Sequence, residues 1–202
     1  MKLMIFRVPI IRDYVILEEM GTGHSNELWE AGKQTEIWRF MATKISTKAE
    51  MGQVIKAALE EKKKGVQFPF IIRRKSDRKI IGSTRYLDIS QQNKSLEIGW
   101  TWLNPIVWKT AVNTECKYLL LETAFEELGF NRVQLKTDGR NVVSQRAIER
   151  IGAVREGVLR QERKLQDGFI RDTIVYSILA SEWPAVKEGL LKRLGQGKQI
   201  SQ

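Results

Sequence analysis

The chain has 202 residues, 42% of them hydrophobic and 29% charged, which suits one globular domain and leaves no apolar run near the ~20 residues that a bilayer-spanning helix needs. A net charge of +10 admits a nucleic acid, an anionic membrane surface or a polyanionic small molecule as partner, but no zinc-finger spacing or basic zipper is present. The one cysteine, Cys116, excludes an intramolecular disulfide and suits a reducing, cytoplasmic setting.

The start, residues 1–9, has the outline of a signal peptide, but Arg7 and Arg12 break its apolar run and no small-residue cleavage site follows. The segment 10–20 reads as a strand with Val15 and Leu17 on one face, and Ser25 and Thr35 read as helix caps. From Thr47, Met51, Ile55, Ala58 and Leu59 recur at helical spacing until Gly65 stops them. Lys62, Lys63 and Lys64 then form the solvated end of that helix, where they complement its dipole. Strands are expected over 68–73, 79–89 and 96–103. After a loop containing Pro105, a helix places Cys116, Leu120, Leu121, Ala124, Phe125 and Leu128 on one stripe, with Glu122, Glu126 and Glu127 outside it and Gly129 as its stop.

Residues 132–137 alternate as a half-buried strand does, and Asn141 caps a helix carrying Ala147, Ile148 and Ile151 that ends at Gly152. Strands over 154–165 and 170–179 flank Asp167-Gly168, a signal for a two-residue hairpin turn. A helix over 183–194, with Pro184 early in it, closes a single domain of residues 1–194, and the polar tail 195–202 frays. Strand, helices, three strands, helix, strand, helix and long hairpin make a mixed α/β (α+β) architecture of sheet and helices, not a doubly wound sheet. The strand over 96–103, its Pro-containing loop and the helix beyond also form a place where free N–H groups and a helix dipole favour an anion such as a pyrophosphate.

Several stretches together resemble the GNAT (Gcn5-related) N-acetyltransferase superfamily, and within it the RimJ/RimL-type ribosomal-protein-alanine acetyltransferases. They are Pro69-Phe70, Ile81-Gly82-Ser83-Thr84-Arg85-Tyr86, Glu97-Ile98-Gly99-Trp100-Thr101-Trp102-Leu103, Asn113-Thr114-Glu115-Cys116-Lys117, Thr137-Asp138-Gly139-Arg140-Asn141 with Ser144, and Arg171-Asp172-Thr173. The resemblance covers about Val15 to Leu194. It implies a mostly antiparallel central sheet with two splayed strands, flanked by helices, and acetyl-CoA as cosubstrate with no metal. The pantetheine arm would enter between the strands at 96–103 and 132–137, and the pyrophosphate would sit on the loop before the next helix. An amine is the implied acceptor, on a protein N-terminus or a small molecule; ribosome association and a monomer or homodimer are the implied partners, without a membrane.

By the same resemblance the cofactor would meet Trp102, Leu103, Trp108, Lys109, Thr110, Ala111, Val112, Asn113, Thr114, Asn141 and Ser144, with backbone amides of Trp102 or Leu103 polarising the thioester. The loop 108–113 departs from the family pattern Arg/Gln-x-x-Gly-x-Gly/Ala, because neither glycine is present and Lys109 is the compensating charge. Weaker cofactor binding is the alternative this leaves open.

Acetyl transfer needs a base for the amine and a proton for the departing thiolate. Glu97 is the candidate base, acting through water, with Gly99, Thr101 and Leu103 on its face and Trp100 and Trp102 on the other; its alternative role is an ion pair. Ser144 is the candidate acid, with helix capping as its alternative. Ile148 stands where many members of the superfamily carry a tyrosine, and Lys164, with Glu162 two residues away, stands near the place of a glutamate of the Rim type. Cys116 reads as a core thiol and His24 as a residue near a helix start. Trp38, beside Arg39 and Phe40, is a candidate wall of an acceptor cleft between residues 24–65 and the Asp167-Gly168 hairpin, which Glu18, Glu19, Glu27, Glu30 and Glu36 would make acidic. The rival reading is a degenerate fold of this type that senses acyl-CoA or docks on nucleic acid or the ribosome without catalysis.

Overall fold

A computed structural model describes residues 6–199; the first five residues of the apolar start and the last three of the polar tail lie outside that range. Eight strands form one sheet. In chain order they are β1 (Ile10–Ile11), β2 (Val15–Glu19), β3 (Phe68–Arg74), β4 (Ile80–Ser90), β5 (Ser95–Leu103), β6 (Arg132–Asp138), β7 (Val154–Lys164) and β8 (Ile170–Leu179). Their spatial order is β1-β2-β3-β4-β5-β6-β8-β7, and every pairing is antiparallel except β5 with β6. Five helices cover the two faces: α1 (Ser25–Gly32), α2 (Lys48–Lys63), α3 (Val112–Glu122), α4 (Val142–Arg150) and α5 (Trp183–Gln199). The expected mixed, mostly antiparallel sheet flanked by helices is the one found.

Each face of the sheet has its own core. One joins Val15, Leu17, Phe70, Tyr86, Leu96, Ile98, Leu103, Val133 and Leu135 to Cys116 and Leu120 of α3 and Leu190 of α5. The other joins Ile71, Ile80 and Trp102 to Leu28 of α1, Trp38, and Met51 and Ile55 of α2. Alternation along a strand sends neighbours to opposite layers, so Phe70 enters the first core and Ile71 the second.

Helix α2 starts with a capping box: Thr47 Oγ1 accepts from Glu50 N (3.2 Å) and Glu50 Oε2 accepts from Thr47 N (3.1 Å). Its lysine end is solvated as expected, with Lys63 on Glu60, Lys64 on Glu61 and Lys62 on Glu19. Glu115 of α3 ties the sheet to that helix, because its Oε1 accepts from the backbone amides of Tyr14 (2.7 Å) and Val15 (2.9 Å).

Several boundaries differ from the sequence reading. The strand over 10–20 is two strands, β1 and β2. His24, not Ser25, is the N-cap of α1, and Thr35 opens a short 3-10 turn. Helix α3 begins before Asn113 and runs into a π turn at Thr123–Glu127. Between β7 and β8, Leu165 N donates to Phe169 O (2.7 Å) and Gly168 N to Leu165 O (3.0 Å), so the turn encloses Gln166, Asp167 and Gly168 rather than two residues. Gly168 takes the left-handed position with φ +84°, the geometry of a three-residue loop. Helix α5 continues past Leu194 to Gln199, where a fraying tail was expected. Among the described residues no helix is long and apolar enough to cross a membrane.

Candidate active site in a split sheet

Strand β5 pairs with β6 at Ser95↔Arg132, Leu96↔Val133 and Glu97↔Gln134, and pairing stops there although β5 continues to Leu103 and β6 to Asp138. The cause lies in β5. Between Gly99 and Trp102 it holds one residue more than β4 does between Arg85 and Ser83, and Trp100 sits at φ 51°, in the left-handed region. Such a bulge bends and twists its strand, here immediately beyond the last shared rung. A wedge opens between the two strands. Asn104 N donates to Ile81 O (2.7 Å), which fixes the alternation: the amide and carbonyl of Leu103 face away from β4, toward the opening. The same alternation turns Trp102's amide back to β4, so of the amides of Trp102 and Leu103 only Leu103's lies on the side of the opening. Leu103 O accepts from the indole Nε1 of Trp108 (2.8 Å) in place of a neighbouring strand.

Glu97 is the last paired residue, at the vertex. The bulge reverses the expected faces. Leu96 and Ile98 pack in the α3-side core before it, and Leu103 does so after it, while Trp102 packs in the opposite core. Glu97 therefore shares its face with Trp100 and Trp102 and lies opposite Thr101 and Leu103. Its carboxylate is nearly buried and Oε2 lies 2.9 Å from Lys136 Nζ, an ion pair with a residue the sequence reading did not single out. The carboxylate folds over Gly99, where a Cβ would stand 2.7 Å from Glu97 Oε1. The bare glycine is what lets the acid lie there.

On the α3 side, Lys117 reaches into the opening. Its Nζ donates to Thr101 Oγ1 (2.8 Å), and Thr101 shares a hydrogen bond with Thr84 Oγ1 (2.7 Å). Burial pushes the amine from 10.5 down to about 8, against the opposing charge of Glu97. In the sequence Lys117 stands only as the end of the stretch 113–117, with no role given, and its burial follows from α3 being enclosed on all sides from Glu115 to Leu121.

The loop from Trp108 to Thr114 leads to the N-terminus of α3. Lys109, where the family pattern is glycine-rich, adopts φ 61° without a glycine. Ala111 is the N-cap and offers no side-chain bond. Thr110 Oγ1 donates to Val107 O (2.7 Å), and Val112 N donates to Thr110 Oγ1 (3.3 Å). The first helical bond into the cap runs from Glu115 N to Ala111 O (2.9 Å), which leaves the amides of Asn113 and Thr114 directed out of the helix. Across the opening, Asn141 Oδ1 accepts from Ser144 N (3.0 Å) as the cap of α4, so its side-chain oxygen is committed. Ser144 is half-buried in the first turn.

Two distant segments, those between which an acceptor cleft was expected, meet around a cavity. A cavity of about 390 Å³ is lined by Thr35, Glu36, Trp38, Lys44, Leu165 and Asp167 among others. Lys44 N donates to Gln166 Oε1 (2.8 Å), and Arg140 lies 3.6 Å from the centre of the Phe169 ring. Burial opposes ionisation of Asp138, but hydrogen bonds from Arg140 outweigh it and hold the carboxyl below its ordinary range. Trp38 stacks on Trp102 at 5.3 Å and donates its Nε1 to Gly32 O (2.7 Å). The expected acidic lining does not assemble: Glu18 and Glu27 bind Arg73, Glu19 binds Lys62, Glu30 binds Lys33, and only Glu36 lines the cavity. Glu162 accepts from Thr173 Oγ1 (2.9 Å) beside Arg171. Cys116 is a core thiol that burial pushes up to about 12, and His24 Nδ1 accepts from Gly21 N (3.0 Å) at the start of α1.

Residues 15–154 match the family model of the acetyltransferase (GNAT) domain. The chain is 27% identical over 176 residues to the uncharacterized N-acetyltransferase YoaA of Bacillus subtilis (strain 168), across 85% of this chain and 97% of that one. It is 25% identical over 171 residues to the N-acetyltransferase p20 of Bacillus licheniformis, across 83% and 93%. The crystal structure of a GCN5-related N-acetyltransferase from Brucella melitensis superposes with a TM-score of 0.83 at 28% identity, covering 90% of this chain and 83% of that one.

Proposed function

Because the chain belongs to the GNAT acetyltransferase family, we propose that it moves the acetyl group of acetyl-CoA directly to a primary amine, with Glu97 as the base. The observation that carries this reading is the end of β5–β6 pairing at Glu97: it leaves a slot whose β5 edge has a free backbone amide at Leu103 and whose vertex has a carboxylate. The donor's pyrophosphate would rest on the amides at the start of α3, beside Lys109, and its thioester would lie against Leu103 N. The acceptor would approach from the other face, where Glu97 stands. The amine gives up a proton toward Glu97 through water, and its lone pair attacks the thioester carbon. A C–N bond forms, the C–S bond breaks, and CoA leaves as the thiol after gaining a proton. Ser144 is the proposed source of that proton. Lys136 must share Glu97 with the incoming amine, which makes the ion pair a holder of the carboxylate between turnovers.

The test is incubation with labelled acetyl-CoA and a panel of amines, with calorimetry of CoA binding alongside. Glu97→Gln is expected to lower kcat/KM by about 10²- to 10⁴-fold while leaving the CoA dissociation constant unchanged. Equal rates in both proteins would remove Glu97 from the chemistry, and an absence of CoA binding in the native chain would overturn the reading as a whole.

A further inference from the structure

Arg85 of β4 is 5% exposed, yet no carboxylate or carbonyl among the described residues bonds its guanidinium, and its Nε is buried without an acceptor. Other arginines that are at least half-buried have a carboxylate beside them: Arg73 has Glu18 and Glu27, Arg74 has Asp77, Arg132 has Glu156, Arg171 has Glu162, and Arg12, whose Nε also lacks a hydrogen bond, has Asp13 at 3.9 Å. Among the described residues Arg85 has the ring of Trp100, 4.2 Å from its guanidinium carbon, as its one partner. Burial lowers its pKa to about 10, with no opposing partner. A buried cation without a counterion is costly, and it persists in a fold where something outside the chain completes it.

Its position says what that is. Arg85 is the cross-strand partner of Gly99, so the two share a face. The same bare glycine has the Glu97 carboxylate folded over it. Glu97 itself faces Leu87, two residues along, so base and unpaired cation stand diagonally on adjoining strands, about 7–8 Å apart at the backbone, on the face from which the acceptor approaches. The bulge residue Trp100 stiffens the guanidinium from one side. We infer that Arg85 binds a carboxylate of the acceptor, so that the acetylated amine belongs to a small molecule carrying both groups, of the amino-acid class. This rests on the acetyl-transfer reading, with the amine at Glu97.

The experiment compares acceptors that differ only at the acid. Free L-amino acids, their C-terminal amides and the matching aminoalkylphosphonates are assayed by thiol release from acetyl-CoA, with the native chain, Arg85→Met and Arg85→Lys. The native chain is expected to prefer an acid over its amide by about 10- to 100-fold in kcat/KM, expressed in KM, as a charge-assisted pair warrants. Arg85→Met should erase that preference, with a far larger loss on the acid than on the amide and an unchanged affinity for acetyl-CoA, and Arg85→Lys should restore part of it. Intact acetyl-CoA binding in each variant certifies the fold. Acids and amides taken equally by the native chain, an equal loss on both in Arg85→Met, or a preference for phosphonates would overturn the carboxylate assignment. Transfer to neutral amines without that preference would leave the acetyltransferase reading standing, whereas failure to bind acetyl-CoA would remove both.

Discussion

Strand β6 meets its two neighbours differently. Along one edge it pairs with β8 at every residue from Arg132 to Asp138; along the other it pairs with β5 at three residues and is then left bare. The strand is regular throughout, so the opening is the work of β5 alone, through the extra residue at Trp100. Half of the slot is a rigid wall anchored by a complete ladder, and the other half is a strand bent away from it. A gap built this way leaves the core intact, because Val133 and Leu135 stay packed whether or not β5 follows.

Excision of Trp100 is the sharpest way to break this contrast. It evens the counts between Ser83–Arg85 of β4 and Gly99–Trp102 of β5, so the β5–β6 ladder should extend beyond Glu97. CoA binding should fall below detection by calorimetry, and backbone amides within 135–138 should gain protection from hydrogen exchange. Retained affinity would show that something other than the bulge holds the strands apart. A smaller effect is expected at Lys117. Between pH about 8 and its ordinary value of 10.5, the unfolded chain holds a proton there that the folded chain has released. Stability against urea should therefore rise with pH across that window and settle to a lower plateau below it, where the ammonium is buried charged. Lys117→Met should flatten that rise; parallel pH profiles for the two proteins would show that the amine is not desolvated in the opening. The smallest effect is at Ala111. As the N-cap of α3, Ala111→Asp should add about 0.5–2 kcal/mol of stability, seen as a higher Tm. The same charge should weaken CoA binding by about twofold to fivefold at low salt, and less at high salt. A higher Tm with unchanged affinity would place the pyrophosphate elsewhere.

Much of this architecture could be read from residue order. Alternation in 132–137 and in the strand before the loop, the Thr47 capping box and the Asn141 cap each follow a local rule, and local rules survive folding. The faces of β5 did not follow, since one inserted residue inverts the parity of everything beyond it and an extended-looking Gly99-Trp100 pair gives no warning. The ion pair of Glu97 with Lys136 depends on a parallel register between strands separated by a helix, which no local pattern encodes. Arg85 gave no such signal, because its strand also holds Ser83, Thr84 and Asp88 and its lack of a carboxylate partner shows only once the chain is folded. The Asp167-Gly168 turn came out one residue longer because Gly168, not the aspartate, supplies the left-handed position.

The contact of Lys44 with Gln166 joins segments 122 residues apart in sequence. The chamber it helps enclose is bounded by two surface loops, whereas the slot beside Glu97 is framed by sheet and helix. Loops tolerate exchange far better than a ladder does. Residues 35–44 and the hairpin tip can therefore vary the walls of this chamber without disturbing the sheet that carries Glu97 and Arg85.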